Sequence, residues 1–279
     1  MIVLVLHGLV PSTPLTVIGS IHVDSINHVD HRYSAPPIID IDPLIHPYRH
    51  NQHDFDTMSA EIFRAAQTWG FFQVVNHSIP EQLESDIIQN MLLLFGSSSE
   101  LKNSIRRSLT NSRGYADDEL TKRQRDMKEV FDMGQPTPYQ DLSPSAMVNQ
   151  GIDGTNQWPD TYLYPHLHDL QPTVEEYFLQ CAQLSHKLFQ LLISPFLICS
   201  EYSNDTTTSY VMGAFSKHTS FMRLNYYPPV NTSNQAVTDI HNDGGDSSSV
   251  DDEHNNAEEH FGVSRHTDSG AVTVLLQVQ

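Results

Sequence analysis

Apolar residues recur at helical spacing from Met58 through Ile62, Ala65 and Ala66 to Trp69, and Gly70 follows where such a helix would end. The next run, Phe71-Phe-Gln-Val-Val75, is β-prone, so the segment predicts a helix leading into a strand. Ser78-x-x-Glu81 has the form of a capping box with Pro80 in the first turn, and Leu83, Ile87, Met91 and Phe95 continue one apolar face, predicting a second helix. Upstream, Pro36 to Pro43 is a short apolar run bounded by prolines, the pattern of an edge strand. Between Lys102 and Trp158 the chain is polar and turn-rich. Thr173-x-x-Glu176 then opens an amphipathic run with Tyr177, Cys181, Leu184, Leu188 and Leu191 on one side, predicting a long helix over about 172–194.

From residue 210 the texture becomes short and β-like: Tyr210 to Met212, Ser220 to Tyr227, and Ala271 to Val278 read as successive strands of an antiparallel sheet. Residues 1–35 show no sustained periodicity and read as a disordered leader. The resulting organisation is a leader over 1–35, an N-terminal domain over 36–150, a helical segment over 151–209, and a β-rich region over 210–279 containing an insertion at 231–260.

Charge narrows the function. The 279 residues carry 34 Asp plus Glu against 15 Lys plus Arg, a net charge of −19. That balance argues against nucleic acid, which needs a basic face, and against an anionic membrane surface. The tight cationic groupings, Arg106-Arg107 and Lys122-Arg123-x-Arg125, sit in charge-mixed stretches and read as solvated helix faces. The 231–260 stretch holds eight acidic residues and no Lys or Arg, so it supplies −8 of the −19 and reads as a disordered acidic surface insertion. Two cysteines, Cys181 and Cys199, supply neither a disulfide framework nor a thiolate metal site. No apolar run is long enough to span a bilayer, and Met1 to Leu6 lacks a basic flank and is followed by His7, Gly8 and Pro11, so a cytoplasmic protein is expected.

Sixteen histidines raise the question of a metal, because imidazole is the commonest transition-metal ligand. A His-x-Asp pair on a strand end directs both side chains to one side, as a mononuclear iron site needs. The tripeptide occurs four times, at His22, His28, His241 and His266. Only His266-Thr267-Asp268 stands at the entrance to a β-run able to hold a ligating pair rigidly. The first two lie in the leader, and the third lies in the acidic insertion.

Several segments, in order, resemble the plant-type 2-oxoglutarate and Fe(II)-dependent dioxygenases, the isopenicillin N synthase-like family. They are Pro37-Ile-Ile-Asp-Ile41, Trp69-Gly-Phe-Phe-Gln-Val-Val-Asn-His77, Arg113-Gly-Tyr115, Lys128-Glu-Val-Phe-Asp132, Asn156-Gln-Trp-Pro159, Arg223-Leu-Asn-Tyr-Tyr-Pro-Pro229 and Gly262-Val-Ser-Arg-His-Thr-Asp268. The resemblance implies an α+β fold, a helical N-terminal region around a double-stranded β-helix (jelly roll). It implies Fe(II) held by His266 and Asp268, 2-oxoglutarate contacted by Tyr227 and Asn225, and a substrate pocket flanked by Arg223 and Thr267. It further implies ascorbate as reductant, O2 and a small organic molecule as substrates, and a monomer. Asn76-His77-Ser78 stands where the family has Asn-His-Gly, so His77 is expected to be a turn residue rather than a ligand.

The family's third iron ligand and its Arg-x-Ser clamp lie on later strands, whereas Gln279 ends this sequence eleven residues after Asp268. The expectation is therefore a chain carrying only the first strands of the barrel, with an unpaired edge at Ala271 to Val278. His166, His168, His218 and His260 are the remaining candidates for a third ligand. The readings to be distinguished are a 2-oxoglutarate-dependent oxygenase, a non-catalytic fragment or pseudoenzyme serving as a binding module, and an oxidative cyclase that dispenses with 2-oxoglutarate.

Overall fold

The computed structural model describes residues 35–121, 124–136, 154–198, 220–229 and 271–277, together with backbone strands at 2–7 and 15–19. His266, Thr267, Asp268, the acidic stretch 231–260, Tyr210 to Met212, His218 and Cys199 lie outside the described residues.

Strand β3 (Ile38–Asp40) leads into the short helix α1 (Asp42–Ile45) and then α2 (Gln52–Thr68). Asn51 caps α2 by accepting from the Asp54 amide while the Asp54 carboxylate accepts from the Asn51 amide, so the helix begins six residues before its first buried apolar position, Met58. Met58, Ile62, Ala65 and Ala66 are buried, and Gly70, at φ +73°, turns the chain into β4 (Phe71–Val75). In β4, Phe72 and Val74 are fully buried and their neighbours half-buried, the alternation expected of a strand.

Helix α3 (Glu81–Phe95) buries Ile87, Met91 and Phe95 as its spacing predicts. The predicted capping box does not form. Pro80 is the N-cap and has no side-chain hydrogen bond, while Ser78 lies two residues upstream in the left-handed region at φ +64°. Helix α4 (Ser99–Ser104) precedes a polar stretch that contains more strand than its composition suggests: β5 (Gly114–Ala116), a small hairpin of β6 (Leu120–Thr121) and β7 (Gln124–Arg125), and β8 (Glu129–Gly134). Arg106 and Arg107 follow α4 rather than lying on a solvated helix face, because each is drawn to a carboxylate: Arg106 to Asp117, and Arg107 to Glu119 at 2.8 Å. Arg125 lies in β7, not on a helix.

Helix α5 (Leu170–Ile198) begins two residues earlier and ends about one turn later than its periodicity predicts. Val174, Tyr177, Phe178, Cys181, Leu184, Leu188 and Leu191 are buried, placing its apolar face in the same core as α2, α3 and β4.

Strand β9 (Phe221–Tyr226) pairs antiparallel with β8, and β8 pairs antiparallel with β5. Strand β10 (Val272–Gln277) does not have the expected unpaired edge. It runs parallel to β1 (Ile2–His7) on one side and antiparallel to β2 (Leu15–Gly19) on the other, and β1 also runs parallel to β9. The leader is thus not wholly disordered: its two apolar runs are β strands. The sheet is mixed rather than antiparallel, eight strands in the order β3-β4-β2-β10-β1-β9-β8-β5, with β3 at the edge as its flanking prolines predict. The architecture is α+β.

Candidate active site

Two of the resemblance motifs meet on β8 and β9. Their register sets Asp132 opposite Arg223, Val130 opposite Asn225 and Phe131 opposite Leu224. Alternation divides β9 into two faces. Met222 and Leu224 point into the helical core, and Tyr226 stacks on Phe95 with ring centroids 5.5 Å apart. Arg223, Asn225 and then Tyr227 share the opposite face.

On that face Arg223 is bound twice. Its Nε and Nη2 donate to the two Asp132 oxygens at 2.7 Å each, and its Nη1 donates to Glu119 Oε2 at 2.9 Å. Arg107 Nη1 donates to Glu119 Oε1 at 2.8 Å, and Lys128 Nζ bridges Glu119 at 3.2 Å and Asp126 at 3.0 Å. Three cations and three carboxylates therefore compensate one another in a largely buried lattice, as buried charge must. Burial alone would raise the Glu119 carboxyl, but Arg223, Arg107 and Lys128 overcome it and hold it at about 2. Burial would weaken protonation of Arg223, and Asp132 and Glu119 reverse that, so it is cationic at every working pH.

Asn225 is buried, and among the described residues its amide Nδ2 has no hydrogen-bond partner. An unmade buried donor is unfavourable by roughly 1–3 kcal/mol and points to an acceptor. Tyr227 lies two residues along. Burial first, and the charges of Asp126 and Glu119 after it, push its hydroxyl up to about 12 against the opposing effect of Arg223, so it stays protonated and can donate. A buried amide and a phenol hydroxyl, i and i+2 on one strand face, suit the carboxylate of a small acid. Arg223, expected at the pocket wall, stands on this face with its guanidinium taken up by Asp132 and Glu119.

The other motifs hold this pair of strands in place. Glu129, on the reverse face of β8, receives Lys102 at 2.8 Å and the Tyr115 hydroxyl at 2.7 Å. Asn156 closes on Gly134 by accepting from its amide at 2.8 Å and donating to its carbonyl at 3.1 Å, while Trp158 packs against Phe131. Gly114 has φ +113°, and a Cβ there would strike the Ile105 carbonyl and approach Gln157 Nε2 to 2.7 Å, so Arg113-Gly-Tyr115 requires its glycine. Sequence reasoning missed the role of Glu119, Lys128, Asp126 and Asp132. The signal available was the alternation of Lys128, Val130 and Asp132 with Glu129 and Phe131, which puts Lys128 and Asp132 on one face.

His77 follows the expectation of a turn residue. It sits between Asn76 and Ser78, both left-handed, with its Nδ1 accepting from the Ile79 amide at 3.3 Å and its Nε2 3.7 Å from Glu84 Oε1. His166 and His168 are exposed in the turn before α5, and among the described residues no group of three His, Cys, Asp or Glu side chains could hold a metal ion. Among those residues no helix is long and apolar enough to cross a membrane.

Residues 36–161 match the family model described as the N-terminal region of non-haem dioxygenases in morphine synthesis. A 2-oxoglutarate-dependent dioxygenase, thnC, of Trichoderma harzianum is 29% identical over 248 residues, covering 86% of this chain and 63% of that protein. Thebaine 6-O-demethylase of Papaver somniferum is 24% identical over 257 residues, covering 87% of this chain and 54% of the demethylase. The chain thus spans between about half and two thirds of the length of these relatives. Among solved structures, Neurospora crassa T7H in complex with alpha-KG and thymine superposes with a TM-score of 0.52 at 18% identity, covering 69% of this chain and 55% of that one, which shows a shared fold.

Proposed function

We propose that the chain, whose residues 36–161 match the N-terminal region of non-haem dioxygenases, is a 2-oxoglutarate-dependent dioxygenase that oxygenates a small organic molecule in a reaction using Fe(II), 2-oxoglutarate and O2, with ascorbate as reductant. The observation that carries this reading is the face of β9, where the buried amide of Asn225 has no hydrogen-bond partner among the described residues and the protonated hydroxyl of Tyr227 follows two residues along. On this reading the sheet around β8, β9 and β10 is the first part of a jelly roll. His266 and Asp268, immediately before β10, are the protein ligands of the iron, and Thr267 lies between them.

Bound iron and 2-oxoglutarate would supply the oxidation, with 2-oxoglutarate converted to succinate and CO2 as O2 is consumed. The protein's own residues bind and orient. Tyr227 donates its hydroxyl proton in a hydrogen bond to a 2-oxoglutarate carboxylate oxygen and keeps that proton throughout, because its ionisation lies far above neutral pH. Asn225 donates from Nδ2 to the same ligand, which removes the desolvation penalty of an unmade bond. Arg223 keeps both from shifting along the strand and, being neutralised by Asp132 and Glu119, presents no competing charge.

The test is succinate formation from 2-oxoglutarate in the presence of Fe(II), ascorbate and air. Turnover that needs both iron and O2, with a raised KM for 2-oxoglutarate in Tyr227→Phe, is expected. Turnover indifferent to 2-oxoglutarate would overturn the reading in favour of a cosubstrate-independent oxidase.

A further inference from the structure

We propose that Glu119 is a positioning residue that, through Arg223, holds Asn225 and Tyr227 at the 2-oxoglutarate carboxylate, an inference that rests on the reading of Tyr227 given above. Glu119 belongs to no strand of the large sheet. It lies in the connection between β5 and β6, and its backbone carbonyl accepts from the Asp126 amide at 2.9 Å, closing the base of the β6–β7 hairpin.

Its side chain reaches back to β9. Oε1 accepts from Arg107 Nη1 at 2.8 Å and lies 2.9 Å from Arg223 Nη2, while Oε2 accepts from Arg223 Nη1 at 2.9 Å and lies 3.2 Å from Lys128 Nζ. Each oxygen of the carboxylate thus accepts a hydrogen bond and faces a second cation. Asp132 takes the Nε edge of Arg223 and Glu119 takes the opposite edge, so the guanidinium plane is fixed from two directions and a rotamer-rich side chain is immobilised.

The consequence for the site follows from strand geometry. Arg223, Asn225 and Tyr227 are successive residues of one face, so an arginine that cannot rotate resists twisting of the strand beneath its neighbours. The Tyr227 hydroxyl also lies within the field of Asp126, Arg223 and Glu119, three members of the same lattice. A lattice serving stability alone could be built as well from the reverse face of β8. There Glu129 binds Lys102 and Tyr115 at a similar exposure, 20% against 17% for Glu119, from the face of β8 turned away from Asp132 and Arg223. That makes Glu129 the control.

The experiment uses the full chain labelled with 3-fluorotyrosine, its Tyr227 fluorine resonance assigned by Tyr227→Phe, together with titration of 2-oxoglutarate in the presence of Mn(II). Glu119→Gln is expected to shift the Tyr227 resonance and weaken 2-oxoglutarate binding about 10-fold. Glu129→Gln is expected to lower stability and leave the resonance in place. Should Glu119→Gln not fold, Arg107→Gln removes one of the donors to Oε1, and a smaller shift in the same direction is expected. An unmoved Tyr227 resonance in the folded Glu119 or Arg107 variant, or an equal movement in Glu129→Gln, overturns the positioning role. Failure of the wild-type chain to bind 2-oxoglutarate overturns the reading of Tyr227 as its donor and leaves the resonance to decide the coupling of Glu119 to Tyr227.

Discussion

Arg223 and Asp132 stand directly opposite one another on neighbouring antiparallel strands and are joined by two hydrogen bonds of 2.7 Å. The pair is bidentate, Asp132 is almost fully buried, and Glu119 binds the remaining edge of the guanidinium. Removing the arginine takes from the buried Asp132 both of its close hydrogen bonds, and a buried charge left unpaired in this way destabilises a protein by roughly 3–5 kcal/mol. Arg223→Met is therefore expected to lose stability on that scale in urea denaturation. Arg223→Lys should recover only part of it, since an ammonium cannot make the forked contact. A loss below about 1 kcal/mol for Arg223→Met would show the lattice to be only weakly coupled to folding.

Ser78 adopts φ +64°, a conformation that a side chain with Cβ takes at an expense of roughly 1–2 kcal/mol. Ser78→Gly is expected to stabilise the chain by about 1 kcal/mol. Asn76, also left-handed, should gain less from the same change, because asparagine tolerates that region. Thermal unfolding of the two variants side by side decides the order.

Gly114 gives the opposite sign. A methyl group at this position meets the Ile105 carbonyl and Gln157 under a backbone already at φ +113°. Gly114→Ala is expected to destabilise by more than about 2 kcal/mol, and to displace β5 from β8, visible as faster amide exchange at Tyr115 and Phe131.

Glu84 and His77 predict how stability follows pH. Burial, and after it the neighbouring Glu81, pushes the Glu84 carboxyl up to about 7 from 4.5. A carboxyl that binds its proton more tightly when folded adds stability fully present below its unfolded value, and that stability is lost as pH rises through 7. His77 is lowered by burial, so its contribution is present above 6.5 and is lost as pH falls below that value. Glu84→Gln should therefore gain on the wild type by roughly 1–3 kcal/mol between pH 5 and pH 8. Denaturation series at both pH values check this, and a gap that does not widen with pH contradicts it.

Much of the helical layer is legible because its periodicity is strong. Met58 to Trp69, Leu83 to Phe95 and Tyr177 to Leu191 each repeat one apolar face, and each is buried on that face. Boundaries are less legible: α2 starts at the polar cap Asn51, where no apolar residue yet signals a helix. The 102–158 stretch hides β5 to β8 because its strands are two to six residues long and the longest, β8, carries Glu129 and Asp132, whose charges are paired only in the fold. Such pairing depends on contacts up to 104 residues apart, as for Arg223 and Glu119, which local pattern cannot show. The motif singles out Asn225 and Tyr227, whereas the unpartnered amide and the charge lattice behind it arise from contacts far apart in the sequence.

His266 and Asp268 are the proposed protein ligands of a non-haem iron. Anaerobic titration of the metal-free chain with Fe(II), followed by calorimetry in the presence of 2-oxoglutarate, tests this most directly. Saturable binding of one equivalent, abolished in both His266→Ala and Asp268→Ala while each variant keeps its fold, is the predicted result. Binding that persists in both variants, or its absence from the wild-type chain, would contradict the account.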